Sequence, residues 1–183
     1  MKIEIESPIN KYYVQTLCMI FFPGEKFSGD EDDDSPYLYL KTTADETGVS
    51  SYAVLKYNGI ETNATRRSEY TPERTKERTL KLSVGAAVLA CGSELMGYRP
   101  AWGMLVGVRP SKVATEMLNN GISKTRVKKI LTSDYLVIPK KAALAIDVAL
   151  NEKRITGTPN PKDCSLYISI PFCILQNGVD VIY

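Results

Sequence analysis

Histidine is missing from all 183 residues, and that gap removes several kinds of chemistry at once. Without an imidazole there is no Ser-His-Asp triad, no Cys-His pair and no histidine-ligated zinc, so self-contained hydrolysis is not the expected activity. Cysteine is scarce and scattered. The four thiols, Cys18, Cys91, Cys164 and Cys173, lack the dense, even spacing of a secreted disulfide scaffold, and a reducing compartment would keep them as thiols. Cys18 and Cys91 sit in apolar, helix-patterned surroundings and read as core residues. No window reaches the roughly 18 uninterrupted apolar residues of a membrane span, and the start, Met1-Lys-Ile-Glu-Ile-Glu6, alternates and carries acids, unlike a secretory signal. The cytoplasm is the expected compartment, and a membrane is not an expected partner.

What is present is an ordinary globular composition, 44% apolar and 24% charged, which excludes disorder throughout. The net charge of +2 hides an uneven spread: residues 1–70 hold 7 Lys/Arg against 12 Asp/Glu, whereas residues 109–154 hold 10 against 4. Two differently charged units are implied. The first reads strand, helix, strand, strand. Ile3 and Ile5 alternate with acids, Tyr12 to Phe22 has helical spacing up to Pro23-Gly24, and Tyr37 to Thr42 and Ser51 to Tyr57 alternate as paired strands. Asn58-Gly59 is a turn signal, and Ile60-Glu61 is placed to begin a further short strand. The run Asp30-Glu-Asp-Asp-Asp34 lacks the ligand alternation and glycine of an EF-hand and reads as a solvated loop.

Polar residues 62–74 look like a linker, and Thr71-Pro72 has the cap-then-proline form of a helix start. A helix is expected from there to Met96, closed by Gly97, with Gly85 and Gly92 marking close packing. The segment from Tyr98 to Pro110 is too rich in glycine and proline for a regular helix and holds Trp102. Helices follow from Pro110 to about Leu118, from Ser123 to Thr132 and from Pro139 to Lys153. Thr156 to Pro161 is a second linker by composition. The domains expected are a small acidic α+β domain (1–65), a linker (66–74), a helical domain (75–155), a linker (156–164) and a last segment (165–183). In that segment Leu166, Ile168 and Ile170 form a continuously apolar strand of the kind found in parallel sheets and barrels.

That strand ends on Cys173, and a strand end followed by a tight loop is a common place to present a thiolate to an iron–sulfur cluster. The stretch Leu166-Tyr-Ile-Ser-Ile-Pro-Phe-Cys173 resembles the entrance to the radical S-adenosylmethionine barrel of the oxygen-independent coproporphyrinogen III oxidase family. Phe21-Phe-Pro-Gly-Glu25, Trp102-Gly-Met-Leu-Val-Gly-Val-Arg-Pro-Ser-Lys112 and the helices of residues 111–154 resemble, in the same order, the long N-terminal extension of the HemZ-type coproporphyrinogen dehydrogenases. The resemblance implies an α+β chain made of a small N-terminal α/β domain, a helical domain and the first strand of an incomplete radical S-adenosylmethionine barrel. It further implies that three cysteines in a Cys-x3-Cys-x2-Cys loop ligate a 4Fe–4S cluster whose fourth iron holds S-adenosylmethionine. The resulting 5′-deoxyadenosyl radical starts the oxidative decarboxylation of coproporphyrinogen III to protoporphyrinogen IX, in haem and porphyrin biosynthesis. By position Cys173 matches the first cluster ligand and Tyr167 the motif tyrosine near S-adenosylmethionine.

The family pattern places the second and third ligands at 177 and 180, where this sequence has Asn177 and Asp180. An amide and a hard carboxylate are poor substitutes for thiolates at iron. Cys164 lies roughly 30 Å from Cys173 by strand rise and does not fill the gap. The expectation is therefore an N-terminal fragment, with residues 174–183 a frameshifted tail or truncation scar, no catalytic residue of its own and no stably bound cluster or cofactor. In the parent family the substrate is a tetrapyrrole, and a redox protein is a candidate partner.

Two alternatives come from the residues themselves. Leu118-Asn-Asn-Gly-Ile-Ser123 between two helices has the outline of a helix-turn-helix, with Lys124, Arg126, Lys128 and Lys129 available to phosphates, although a solvated helix face is the more ordinary reading and nucleic acid is not the expected partner. Alternatively the extension is an interaction module, in which Arg109 and Lys112 beside Trp102 receive a carboxylate or phosphate.

Overall fold

The computed structural model describes residues 1–27, 35–157 and, singly, 162, 164, 166 and 168. Among these the elements run β1 (Lys2–Glu6), α1 (Lys11–Cys18), β2 (Tyr37–Ala44), β3 (Gly48–Tyr57), β4 (Ile60–Glu69), α2 (Lys76–Met96), α3 (Pro110–Asn119), α4 (Lys124–Ser133) and α5 (Pro139–Thr156). The chain is a mixed α/β protein. The acidic run Asp30 to Asp34, most of the strand expected at 166–170, and all of Tyr167, Cys173, Asn177 and Asp180 lie outside the described residues. Leu166 and Ile168, which are described, are exposed and carry no strand assignment.

Alternation in the strands sorts the four-stranded sheet into two faces. Its order is β1-β2-β3-β4, with β1 parallel to β2 and the other pairs antiparallel. Ile3, Leu38, Leu55 and Thr62 lie in one row across the sheet, and Ile5, Leu40, Ala53 and Ala64 in the next. This face carries α1 and α2. The opposite face is wet: the Tyr37 hydroxyl donates to Glu4 at 2.8 Å, Lys41 pairs with Glu6 at 3.0 Å, and Tyr39 meets Tyr52 edge to face.

Strand β4 corrects the expectation of a short strand followed by a linker. It runs ten residues, and every position of β3 from Gly48 to Tyr57 has a partner on it. Its inward residues, Thr62 and Ala64, are only weakly apolar, so alternation is faint, yet the ladder of hydrogen bonds extends through Arg66 to Glu69. Thr62 stays buried because its hydroxyl donates to the Cys91 carbonyl at 3.1 Å. Helix α2 also starts later than Thr71. Its N-cap is Thr75, whose Oγ1 accepts from the Arg78 amide at 3.2 Å, while Thr71 to Arg74 form a turn closed at 3.0 Å. Helix α1 stops at Cys18 rather than Phe22: after Met19, whose amide still bonds four back to Gln15, the Ile20 and Phe21 amides bond only three back, to Leu17 and Cys18, and the chain leaves the helix in a tighter turn.

Helix α2 has 21 residues and, among the described helices, is the one long and apolar enough to cross a membrane. Its apolar side chains are already used: Leu82, Val84, Val88, Leu89 and Cys91 are buried with α1 and the inner face of the sheet. The sequence grouped α2 with the later helices, but its packing belongs to the sheet. Close approach is made possible by Gly92, where a Cβ would stand 2.2 Å from the ring of Phe21.

A second core joins α3, α4 and α5 through Ala114, Val127, Leu131, Ala142, Ala145, Ile146 and Ala149. The turn between α3 and α4 is short, and Ser123 caps α4 by accepting from the Arg126 amide. Between the two cores runs the loop around Trp102. Met104 belongs to the sheet core and its neighbour Leu105 to the helical one, while Tyr135 packs against both. Gly103 sits at φ +55°, and a Cβ there would meet the Tyr135 carbonyl oxygen at 2.0 Å. The Trp-Gly pair is thus the point where the α4–α5 connection presses against the loop, held by Met104 N–H to Tyr135 O at 2.9 Å and Ile138 N–H to Ala101 O at 3.1 Å.

Candidate functional site

A cluster site needs thiolates, and the thiols that the fold positions are unsuited to supply them. Cys18 faces the core of α1 and the sheet, and burial pushes its pKa up to about 12. Cys91 on α2 is pushed up to about 11, mainly by burial and then by the nearby Glu94. Its Sγ donates to the Ala53 carbonyl at 3.3 Å. Both remain protonated core groups, as their apolar surroundings predicted. Cys164 is exposed. Among the described residues no three His, Cys, Asp or Glu side chains come together to hold a metal. The ligand position implied by the resemblance, Cys173, lies outside the described residues, as do Asn177 and Asp180 at the other two positions, and an amide and a carboxylate are poor donors to an iron–sulfur cluster.

The anion site read from Arg109, Lys112 and Trp102 is not assembled. Trp102 packs partly buried against the helical core with Lys141 Nζ 5.3 Å from its ring centroid, so the cation on the indole comes from α5. Arg109, at the N-cap of α3, turns to Glu152 of α5 at 3.7 Å, and Lys112 is exposed. Of the four helix-turn-helix cations, Arg126 is engaged by Glu73 at 2.8 Å. Lys124, Lys128 and Lys129 are exposed on α4.

The structure does assemble a cleft that the sequence did not reveal. About 440 Å³ in volume, it lies between the turn before α2 and the helices α3 and α4. Met117, Ile122 and Ile130 give it apolar walls, and Arg74, Arg78, Arg126 and Lys129 bring positive charge. Arg74 crosses its end to Asp134 at 2.5 Å, in a pair only 25% and 13% exposed. Beyond that bridge a second hollow of about 490 Å³ is lined by Arg66, Arg67 and Thr71. Arg67 is itself committed to Asp45 at 2.8 Å and to the Thr47 hydroxyl. The Arg126–Glu73 and Arg74–Asp134 pairs of the cleft join residues 53 and 60 positions apart in sequence. The one local signal was the surplus of basic residues after position 109.

With the geometry in place, the chain is a mixed α/β protein whose described part carries a basic cleft and no metal centre. Its sequence is 26% identical, over 168 residues and 87% of its length, to the oxygen-independent coproporphyrinogen-III oxidase-like protein HemZ of Bacillus subtilis (strain 168). The similarity agrees with the resemblance to the HemZ-type proteins. This chain spans about a third of that relative, 33% of its length. No family model matches the chain. No solved structure matches it.

Proposed function

We propose that this chain is the N-terminal part of an oxygen-independent coproporphyrinogen-III oxidase-like protein, and that residues 1–156 form a structural and binding unit ahead of a radical S-adenosylmethionine barrel. The observation that carries this reading is the 26% identity spread over 87% of the chain. It is too long a match to come from one motif. In the whole protein the substrate is a tetrapyrrole, electrons come from a redox partner, and the compartment is the cytoplasm. Tyr167 approaches S-adenosylmethionine and Cys173 is the first cluster ligand. Alone, the chain is inactive and retains no cluster, since one thiolate supplies a third of the soft donors that the family motif uses.

The test joins residues 1–173 to the part of HemZ that follows its matching cysteine. After anaerobic reconstitution with iron and sulfide, the chimera is expected to show the brown cluster absorbance and to cleave S-adenosylmethionine, while the present chain does neither. A folded chimera that cleaves none, beside an active HemZ, would overturn the family reading. Iron retained by the present chain, with cleavage of S-adenosylmethionine, would overturn its inactivity.

A further inference from the structure

We infer that the cleft between α2 and α4 is a binding site for a small amphipathic anion, a molecule with a flat apolar body and one or more carboxylate or phosphate groups. The inference begins with unbalanced charge. Four cations line the cleft and two acids face them, Glu73 and Asp134. Both acids are taken, Asp134 by Arg74 and Glu73 by Arg126. Arg78 and Lys129 are left without a carboxylate among the described residues. Arg78 is the more telling. Its guanidinium lies 5.5 Å from the centroid of the Tyr135 ring and donates through Nη2 to the Tyr135 hydroxyl at 2.8 Å. Its Nε is buried and has no acceptor among the described residues. A buried donor on a cation is costly to leave unmatched, and an arginine lacking a counter-ion in a cleft is the arrangement that accepts carboxylate or phosphate.

A second unmatched group stands across the Arg74–Asp134 bridge. Thr71 Oγ1, in the adjoining hollow, is also buried without a partner. Polar groups in need of partners thus flank both sides of one ion pair. The apolar side of the ligand follows from Met117, Ile122 and Ile130, which offer no hydrogen bond and favour a ring or short hydrocarbon. The size is that of a small-molecule site rather than a macromolecular groove. The pair Arg126–Glu73 at the rim is exposed on both sides, 59% and 72%, so a ligand can exchange for it readily. The cleft would hold its ligand whether or not the chain is part of a radical enzyme.

Calorimetric titration of the full chain at low ionic strength uses three probes: adenosine monophosphate, benzene-1,3-dicarboxylate and inorganic pyrophosphate. At least one of the first two is expected to bind more tightly than pyrophosphate, which has charge but no apolar body. Binding by the nucleotide alone identifies phosphate as the preferred group, and binding by the dicarboxylate alone identifies carboxylate. Arg78→Gln is expected to weaken it by about tenfold or more and Lys129→Gln by several-fold, as for the loss of a charge-assisted contact. Lys11→Gln, on α1, leaves affinity unchanged. Lys129 is exposed, so its variant keeps the test valid should Arg78→Gln fail to fold. Three results would each overturn the site: no binding of either amphipathic probe up to about 10 mM, the limit of any useful affinity; pyrophosphate binding as tightly as both; or affinity unmoved by Lys129→Gln and by any folded Arg78→Gln.

Discussion

Replacing Gly103 with alanine should unfold the junction between the two cores. Two costs act together. At φ +55° an L-residue pays roughly 1–2 kcal/mol for the left-handed conformation. The added Cβ also meets the Tyr135 carbonyl oxygen at 2.0 Å and the Leu136 carbonyl carbon at 2.6 Å. Those are backbone atoms, so no rotamer change relieves the overlap, and the α4–α5 connection must move away from the loop. Displacement costs about 1–3 kcal/mol by analogy with overpacked cores, and it weakens the bonds at 2.9 and 3.1 Å that join Met104 to Tyr135 and Ile138 to Ala101, each worth about 1 kcal/mol. Loss of about 3–5 kcal/mol is expected, which for a chain of this size lowers Tm by roughly 10–15 °C. Fluorescence of Trp102, the one tryptophan in the sequence, reports the transition from the adjacent residue. Gly121→Ala is the control. Gly121 has φ +79° but no atom within 4 Å of its would-be Cβ, so only the conformational cost of about 1 kcal/mol applies there. A Gly103→Ala protein that melts no lower than Gly121→Ala would refute the account of the Trp-Gly pair as a backbone contact.

Gly92→Ala places a methyl against Phe21, whose ring is buried and tilted against Tyr98 at 5.7 Å. It should cost about 1–3 kcal/mol in urea unfolding, less the small helix-propensity gain, and combining it with Phe21→Leu should cost less than the two singles added; strict additivity would show that the contact is absent. Burial of Cys18 and Cys91 predicts that a protein with Cys164→Ser and Cys173→Ser leaves its two remaining thiols unreactive to a disulfide reagent at pH 8 while folded, and exposes both in denaturant. Rapid labelling of the native form would contradict the core placement. Asp45 accepts from Arg67, from the Thr47 hydroxyl and amide and from the Gly48 amide, and these hold its carboxyl well below the ordinary 3.8. A depressed carboxylate pKa contributes stability that is present above the unfolded value and disappears as pH falls through the folded one. Asp45→Asn should therefore lose stability near neutrality and show a shallower decline below about pH 4 than the parent in acid titration; equal slopes would show that the β2–β3 turn contributes no such linkage.

Several elements were legible because their signals are local. Asn58-Gly59, Ser123, Pro110, Pro139 and Gly97 each fix a turn or helix end through their own backbone geometry, and the structure places them where the sequence did. Strand β4 was expected to be short, beginning at Ile60-Glu61, because its inward side chains beyond that point, Thr62 and Ala64, carry little apolar contrast; what extends it to Glu69 is its pairing with β3, which a single sequence does not display. The packing of α2 was misplaced for a different reason. Leu82, Val84, Val88 and Cys91 lie around much of the helix rather than along one stripe, a pattern that marks a helix covered on several sides. Read that way, it would have assigned α2 to the sheet. The basic cleft offered no such clue, since the ion pairs that define it depend on the turn before α2 meeting both ends of α4, Arg126 in its first turn and Asp134 at its C-cap.

The residues around Trp102 show why a motif can be conspicuous without being reactive. Tryptophan, two nearby cations and several glycines look like a ligand site when read along the chain, because proximity in sequence suggests proximity of side chains. In the fold, Lys141 of α5 is the cation on the indole, Arg109 is drawn to Glu152, and Gly103 lets the Tyr135 carbonyl approach. The segment spends its unusual residues on joining two cores through consecutive side chains, Met104 into one and Leu105 into the other. A chain that must turn between two packed surfaces within a single peptide unit needs small residues and positive φ at that point, and these requirements alone produce a motif. The cations left without a carboxylate among the described residues, Arg78 and Lys129, lie instead on α2 and α4, and it is their lack of counter-charge that marks the cleft as a place where a ligand is expected.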